Sequence, residues 1–193
     1  SKTKFLICVI AVKNLCNQIS EHSEEYLVEI KFINTQNWQN FLLNQIAKCE
    51  VFSPFESNPP ATNRVNQLRT DQSDYDYLRL SIENLKDNVI GKYRTLTPVK
   101  SFFFPPLEKI VPFNQKKQKI IVGIKACELA HLRLLDNMFL GGEYRDPVYE
   151  DARKNTIIIS ADCTSAKKCC FCSIISGNPY PTYGFDINLR PIE

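Results

Sequence analysis

The run KIIVGIKACELAHLRLLDNMFLGG, residues 119–142, changes its hydrophobic period in the middle. Its first six residues are apolar and rich in β-branched side chains, the pattern of a strand buried on both faces. From Cys127 onward the apolar residues fall at 129, 132, 135 and 139, one face of a helix, and Gly141–Gly142 ends it. The pattern then runs back. DPVYEDARKN opens with Asp146 as an N-cap and Pro147 at the first helical position. NTIIISADC, residues 155–163, is a second buried strand that finishes at Cys163. Strand, helix, helix, strand requires a crossover, and crossovers join parallel strands. The fold class is therefore α/β: a mixed sheet with parallel strands flanked by helices, carrying a cysteine site at its carboxyl edge.

Upstream, NTQNWQNFLLNQIAKCE predicts an amphipathic helix, with Thr35 as N-cap and Trp38, Phe41, Leu42 and Ile46 facing the core. EVFSPF follows as a short strand. Residues 54–76 read as an irregular or hairpin region, and YDYLRLSIENL begins as a half-buried strand. In YRTLTPVKSFFFPPLEKI, residues 93–110, three prolines prevent a continuous helix or a central strand. The expected form is an extended segment pinned by Phe102, Phe103 and Phe104. Alternation along an extended chain leaves at least one of these rings in solvent, and Phe102–Pro106 is the expected docking surface.

Composition narrows the function classes. With 24 basic against 21 acidic residues and a net charge of +3, the chain has no nucleic-acid signature, and NQKKQK reads as a solvated loop. No apolar run approaches the ~20 residues of a membrane span. Lysines precede the apolar start LICVIAV as they would in a secretory signal, but Lys13 ends the run without a cleavage site, so a strand or short helix is expected. Two histidines and no nucleophile–base pairing leave a hydrolase without support. No glycine-rich phosphate motif supports a nucleotide site.

The cysteines carry the chemistry. Cys8, Cys16 and Cys49 sit among apolar neighbours and read as core thiols. Cys127, Cys163, Cys169, Cys170 and Cys172 fall in the last third. A chain of 193 residues that is 44% hydrophobic has core enough without disulfides, so clustered thiols point to metal or redox chemistry in a reducing, cytoplasmic compartment. If the strands at 119–124 and 156–161 are parallel neighbours, Cys127 and Cys163 emerge together at the edge where open α/β sheets bind ligands. The loop after Cys163 brings Cys170 and Cys172 back to the same place. Four thiolates suit tetrahedral zinc or an iron–sulfur cube, and the spacing does not choose between them. Cys127 stands at a helix N-terminus, which favours a thiolate. Lys125, Lys167 and Lys168 offset charge, and Phe171 and Ile174 shield the site from water. His131, one turn after Cys127, shares its helix face.

Taken together, RTLTPVKSFFFPP, GIKACELAHLRLLDNMFL, YRDPVYEDARKNTIII and DCTSAKKCCFCS, followed by GFDINL, resemble the iron–sulfur electron-transfer subunits of anaerobic redox complexes. These are the beta subunit of sulfhydrogenase-type nickel–iron hydrogenases and its counterpart in anaerobic sulfite reductase. The order and spacing hold from Gln36 to Leu189. The family's Cys-Asp is Cys127-Glu128 here, its Cys-Phe-Cys is Cys170-Phe171-Cys172, and Cys163 matches the cysteine after the second strand. Cys169 lies outside the pattern. The resemblance implies one 4Fe-4S cluster on Cys127, Cys163, Cys170 and Cys172, and no catalytic residue. It implies electron relay to or from a hydrogenase or sulfite reductase subunit, with a flavin or nicotinamide subunit as the other partner. Neither nucleic acid nor a membrane is an expected partner, on the charge balance and the apolar-run lengths. The resemblance also divides the chain into an N-terminal segment, 1–30, and an α/β domain, 31–193, with the family's ferredoxin-like C-terminal domain absent after Glu193. The alternative is a structural or docking module with a four-cysteine zinc site or no metal.

The resemblance distinguishes cysteines that lie only three residues apart. Cys169→Ser should leave bound iron unchanged, whereas Cys172→Ser should remove most of it. Equal losses, by iron analysis of the purified variants, would overturn this choice of ligands.

Overall fold

The computed structural model describes residues 6–11, 29–56, 75–92, 95–104, 118–166, 170, 172, 174 and 177–192, with side-chain environments from residue 30 to residue 191 of these. Seven strands form one mixed sheet: β1 (Leu6–Ala11), β2 (Glu29–Asn34), β3 (Glu50–Glu56), β4 (Tyr75–Arg79), β5 (Lys119–Ile124), β6 (Thr156–Ala161) and β7 (Ile187–Ile192). Their order is β2-β1-β7-β6-β5-β3-β4. β3, β5, β6 and β7 are mutually parallel, β4 is antiparallel to β3, and β1 is antiparallel to both β7 and β2. The N-terminal apolar run is thus a strand within the sheet. Among the described residues three helices flank it: α1 (Thr35–Ile46), α2 (Ala126–Leu140) and α3 (Pro147–Lys154).

The predicted pair of buried strands is β5 and β6, adjacent and parallel, with Lys119 opposite Thr156 and Val122 opposite Ile159. Both faces of β5 are covered. Ile120 and Val122 pack with Trp38 and Leu42 of α1 on one side. Ile121 and Ile124 pack with Leu129 and Leu132 of α2 and Tyr149 of α3 on the other. Ile121 and Ile124 share a face, although three residues apart, because the register slips between Val122 and Ile124. Gly123 makes that slip possible. Its φ is +84°, and a Cβ there would lie 2.9 Å from Cγ of Pro54 on β3. Only glycine takes this backbone without strain and lets the two strands approach.

Polar anchors fix the helices. α1 begins one residue earlier than expected: Asn34, not Thr35, is the N-cap, and its side chain accepts from the Asn37 amide at 2.7 Å. Asp146 caps α3 as expected, accepting from the Val148 and Tyr149 amides. Arg153 of α3 grips Asp136 of α2 with two bonds of 2.8 Å, and the Tyr149 hydroxyl donates to the same carboxylate at 2.6 Å. These charge-assisted bonds hold α2 and α3 as a pair.

The Phe102–Phe104 segment differs from the extended form expected. Val99–Phe102 is a 3-10 turn capped by Pro98, and the turn lets all three rings point inward. Phe102 meets Phe52 and Tyr77, Phe103 meets Tyr149, and Phe104 meets Phe139 and Tyr149, at centroid separations of 4.7–6.1 Å. Phe103 is buried, and Phe102 and Phe104 are half-buried. The rings bind the α2–α3 pair to the sheet, and none stands out as a docking knob. Pro105 and Pro106 lie outside the described residues.

Gly123→Ala should destabilise the fold by about 1–3 kcal/mol, from positive-φ strain and the clash with Pro54. Urea unfolding of the two proteins measures this, and an unchanged midpoint would show that the bulge is dispensable.

Candidate functional site

β5 and β6 end side by side, and each leads into a cysteine. Ile124 passes through Lys125 into α2, where Cys127 is the second helical residue. Ala161 passes through Asp162 to Cys163. Both thiols therefore stand at the carboxyl edge of adjacent parallel strands.

Cys163 is held by its neighbours' backbone. The Asp162 amide donates to Leu189 O at 2.9 Å, the Cys163 amide to Pro179 O at 2.8 Å, and the Thr164 amide to Gly91 O at 2.8 Å. Three consecutive residues are thus tied to three separate segments. Gly91 is another position that requires glycine: its φ is +88°, and a Cβ would meet Pro191 at 2.9 Å. The bond from Cys163 to Pro179 closes the intervening loop on itself. Within that loop the Gly177 amide donates to Cys172 O at 2.7 Å. Cys127, Cys163, Cys170 and Cys172 are all half-buried thiols rather than disulfides.

Beneath them lies Lys125, only 4% exposed. Its Nζ donates to Asp162 O at 3.4 Å, and its amide donates to the Glu128 carboxylate at 3.0 Å, an arm of a helix capping box. Burial lowers its pKa to about 8, opposed by the negative charges of Cys163, Glu128, Asp162 and Cys127. Burial raises the Cys163 pKa. Lys125 and a backbone hydrogen bond from Ser165 act against that rise, and Cys170 and Cys172 add to it; as a neutral thiol Cys163 also donates to Ser165 O at 3.2 Å. Lys125 therefore lies within electrostatic range of Cys127 and Cys163, and Cys163 within range of Cys170 and Cys172. Among the described residues, however, no three groups of His, Cys, Asp or Glu are arranged to hold a metal ion. Of the four predicted thiols, Cys127 and Cys163 share the edge and Cys170 and Cys172 lie in electrostatic range of Cys163, without a coordination shell among the described residues. As a donor set, four thiols, two of them within range of the buried Lys125, fit a thiolate-ligated anionic centre in chemical type.

Other expected members of the site lie elsewhere. Ile174 is 82% exposed and does not shield the site. His131 is exposed on α2. Cys49 is the core thiol expected, buried on the α1 side and donating to Gln45 O. Lys167, Lys168, Cys169, Phe171, Cys16 and the Cys8 side chain lie outside the described residues, as does the greater part of NQKKQK.

Sequence reasoning missed a polar network behind Cys163. Asp162 accepts from Asn188 Nδ2 at 2.8 Å and from Arg190 Nε at 2.6 Å, and Ser160 Oγ donates to Asn188 Oδ1 at 2.8 Å. Asp162, Ser160 and Asn188 are buried. The network fastens β7 to the end of β6 and fixes the base of the cysteine loop. Its bonded partners are up to 28 residues apart, so no local spacing signals it. Among the described residues no helix is long and apolar enough to cross a membrane.

Comparison with protein-family models, curated proteins and solved structures finds no match.

In the metal-free protein, iodoacetamide labelling of Cys163 should show a midpoint above the ordinary thiol range. Its folded pKa is raised, so Cys163 stays a neutral thiol at pH values where an exposed cysteine ionises. The stability that this gives is present below the unfolded pKa and is lost as pH rises through the folded one. Labelling followed by peptide mass spectrometry gives the midpoint, and a value at or below the ordinary one would contradict the burial described.

Proposed function

We propose that this chain is an iron–sulfur electron-transfer domain of an anaerobic oxidoreductase complex of the nickel–iron sulfhydrogenase or anaerobic sulfite reductase type. Cys127, Cys163, Cys170 and Cys172 are its ligands. The observation that carries the reading is the pair of strand-end thiols on adjacent parallel strands, beside a buried lysine and with Cys170 and Cys172 in electrostatic range. Bound there, a 4Fe-4S cluster supplies one-electron transfer and no bond chemistry.

The chain's own residues have the complementary roles. Lys125 contributes one buried positive charge, which offsets part of the negative charge of four thiolates. The α2 N-terminus brings further partial positive charge to Cys127. The three backbone bonds of residues 162–164 hold Cys163 in place. Drawing Cys170 and Cys172 into a shell falls to the loop that begins and ends at Cys163. The partners in this reading are a hydrogenase or sulfite reductase subunit and a flavin or nicotinamide subunit, in the cytoplasm.

Purification without air, with iron, acid-labile sulfide and zinc measured together, tests the proposal. The expected result is a brown protein with four irons and four sulfides per chain, as one cubane contains, without flavin absorbance and without hydrogenase or sulfite reductase turnover. A colourless protein with one zinc, or with no metal after reconstitution with iron and sulfide, would replace this reading with a structural or docking module.

A further inference from the structure

The final part of the path from β6 to β7 has an unusual form. Parallel strands are generally joined by a helix packed on the sheet. Here β6 and β7 are joined by residues 162–186, whose final part runs back along α2 without a helix. Gly184 approaches Leu129, and Phe185 is buried in the core shared with α2 and α3. The outer side of this return segment carries two arginine–tyrosine stacks. The Arg133 guanidinium of α2 lies 5.0 Å from the Tyr183 ring centre. That of Arg190 of β7 lies 5.9 Å from the Tyr180 ring centre. Tyr180 and Tyr183 remain 42% and 40% exposed, and Ile174, in the same loop, 82%.

We propose that Arg133, Tyr183, Tyr180, Arg190 and Ile174 form the docking surface for an acidic electron-transfer protein, seated over the cysteine loop. This rests on the relay reading above, because it is the cluster site that gives such a partner a reason to dock there. The patch combines the residue types that dominate protein interfaces, tyrosine and arginine, with one exposed aliphatic side chain. The stacks hold both arginines against rigid rings, so little side-chain entropy remains to be lost on binding. Charge selects the partner's sign. Among the described residues Arg133 meets no carboxylate, so its positive charge is offered to solvent. Arg190 keeps half its side chain exposed even while bound to Asp162. A carboxylate-bearing surface is the complement. A single nucleic-acid strand fits less well, because both tyrosine rings already carry a guanidinium where a base would stack.

The test measures binding of the purified chain, by titration calorimetry, to three probes: an acidic plant-type ferredoxin, basic cytochrome c and an oligothymidine strand. Iron and sulfide are determined on the same samples. The ferredoxin should bind at low ionic strength, and the affinity should fall as salt rises. Arg133→Glu should weaken binding about tenfold or more, and Tyr183→Ala about fivefold or more. Lys86→Glu, the same charge reversal beside Leu85 on the α1 side, should change it less than about twofold. Absence of ferredoxin binding, equal effects of Arg133→Glu and Lys86→Glu, or tighter binding of cytochrome c or the oligonucleotide would each overturn the docking surface. The two proposals fail separately. An iron-free chain that shows the expected ferredoxin pattern removes the relay and keeps the surface. An iron-bearing chain indifferent to Arg133→Glu does the reverse.

Discussion

The parallel ladder between β5 and β6 is the constraint on which the carboxyl edge depends. Parallel strands end on the same side of a sheet, so two chain segments more than thirty residues apart deliver Cys127 and Cys163 to one edge. The ladder is held by burial on both faces, with α1 on one and the α2–α3 pair on the other. Its last step is adjustable only at Gly123. The bulge there turns Ile124 toward the α2 core, and Lys125 follows it into the interior instead of into solvent. An ordinary strand ending would have left that lysine at the rim, where water would screen its charge.

A buried ammonium needs a counter-charge, and the nearby carboxylates are already engaged. Asp162 is committed to Asn188 and Arg190, and Glu128 to the backbone amide that opens α2. Both carboxylates still act on Lys125 through their charge, and beside them lie the thiols of Cys163 and Cys127. Cys163 is pushed toward its neutral form by burial, while Lys125, with a pKa lowered to about 8, is still largely charged at neutral pH. Lys125 and Arg190 are thus balanced by Asp162 and Glu128 when the thiols are protonated, and burial still works against the ammonium. An anionic thiolate centre would relieve this, and its presence would in turn hold Lys125 charged. The same logic separates this edge from a core packed with inert cysteines, such as the one around Cys49, where no buried cation is found among the described neighbours.

How much of this is legible in the sequence depends on how local the determining forces are. β5, β6 and α3 lie where hydrophobic period, Asp146 and Pro147 put them, because those signals sit within a few residues of the structure they dictate. β2 and β7 carry no comparable signal. EIKFIN and INLRPI are short, and β7 contains Pro191, which ordinarily argues against a strand inside a sheet. It is tolerated because the β6 ladder ends at Leu189, before the proline is reached. The three phenylalanines escape the alternation expected of them because a 3-10 turn forms where an extended chain was expected. At the site, the two strand-end cysteines are legible from the strands that precede them. The loop cysteines are not, since their position depends on bonds from 163 to 179 and from 164 to 91.

That loop also bears on how the proposed centre would work. With Ile174 in solvent and the four cysteines half-buried, the edge is only partly screened from water in the isolated chain. Solvent exposure and hydrogen bonds to sulfur are main determinants of an iron–sulfur potential. A partner seated on Tyr180, Tyr183 and Ile174 would remove water from the outer side of the loop while leaving the Lys125 side unchanged. Lower local dielectric strengthens every charge interaction at the edge, including the pull of Lys125 on a bound anion. The two effects oppose each other. Loss of water disfavours adding negative charge to the centre, and a less screened ammonium favours it. In such a centre the buried lysine would thus limit how far docking could move the potential.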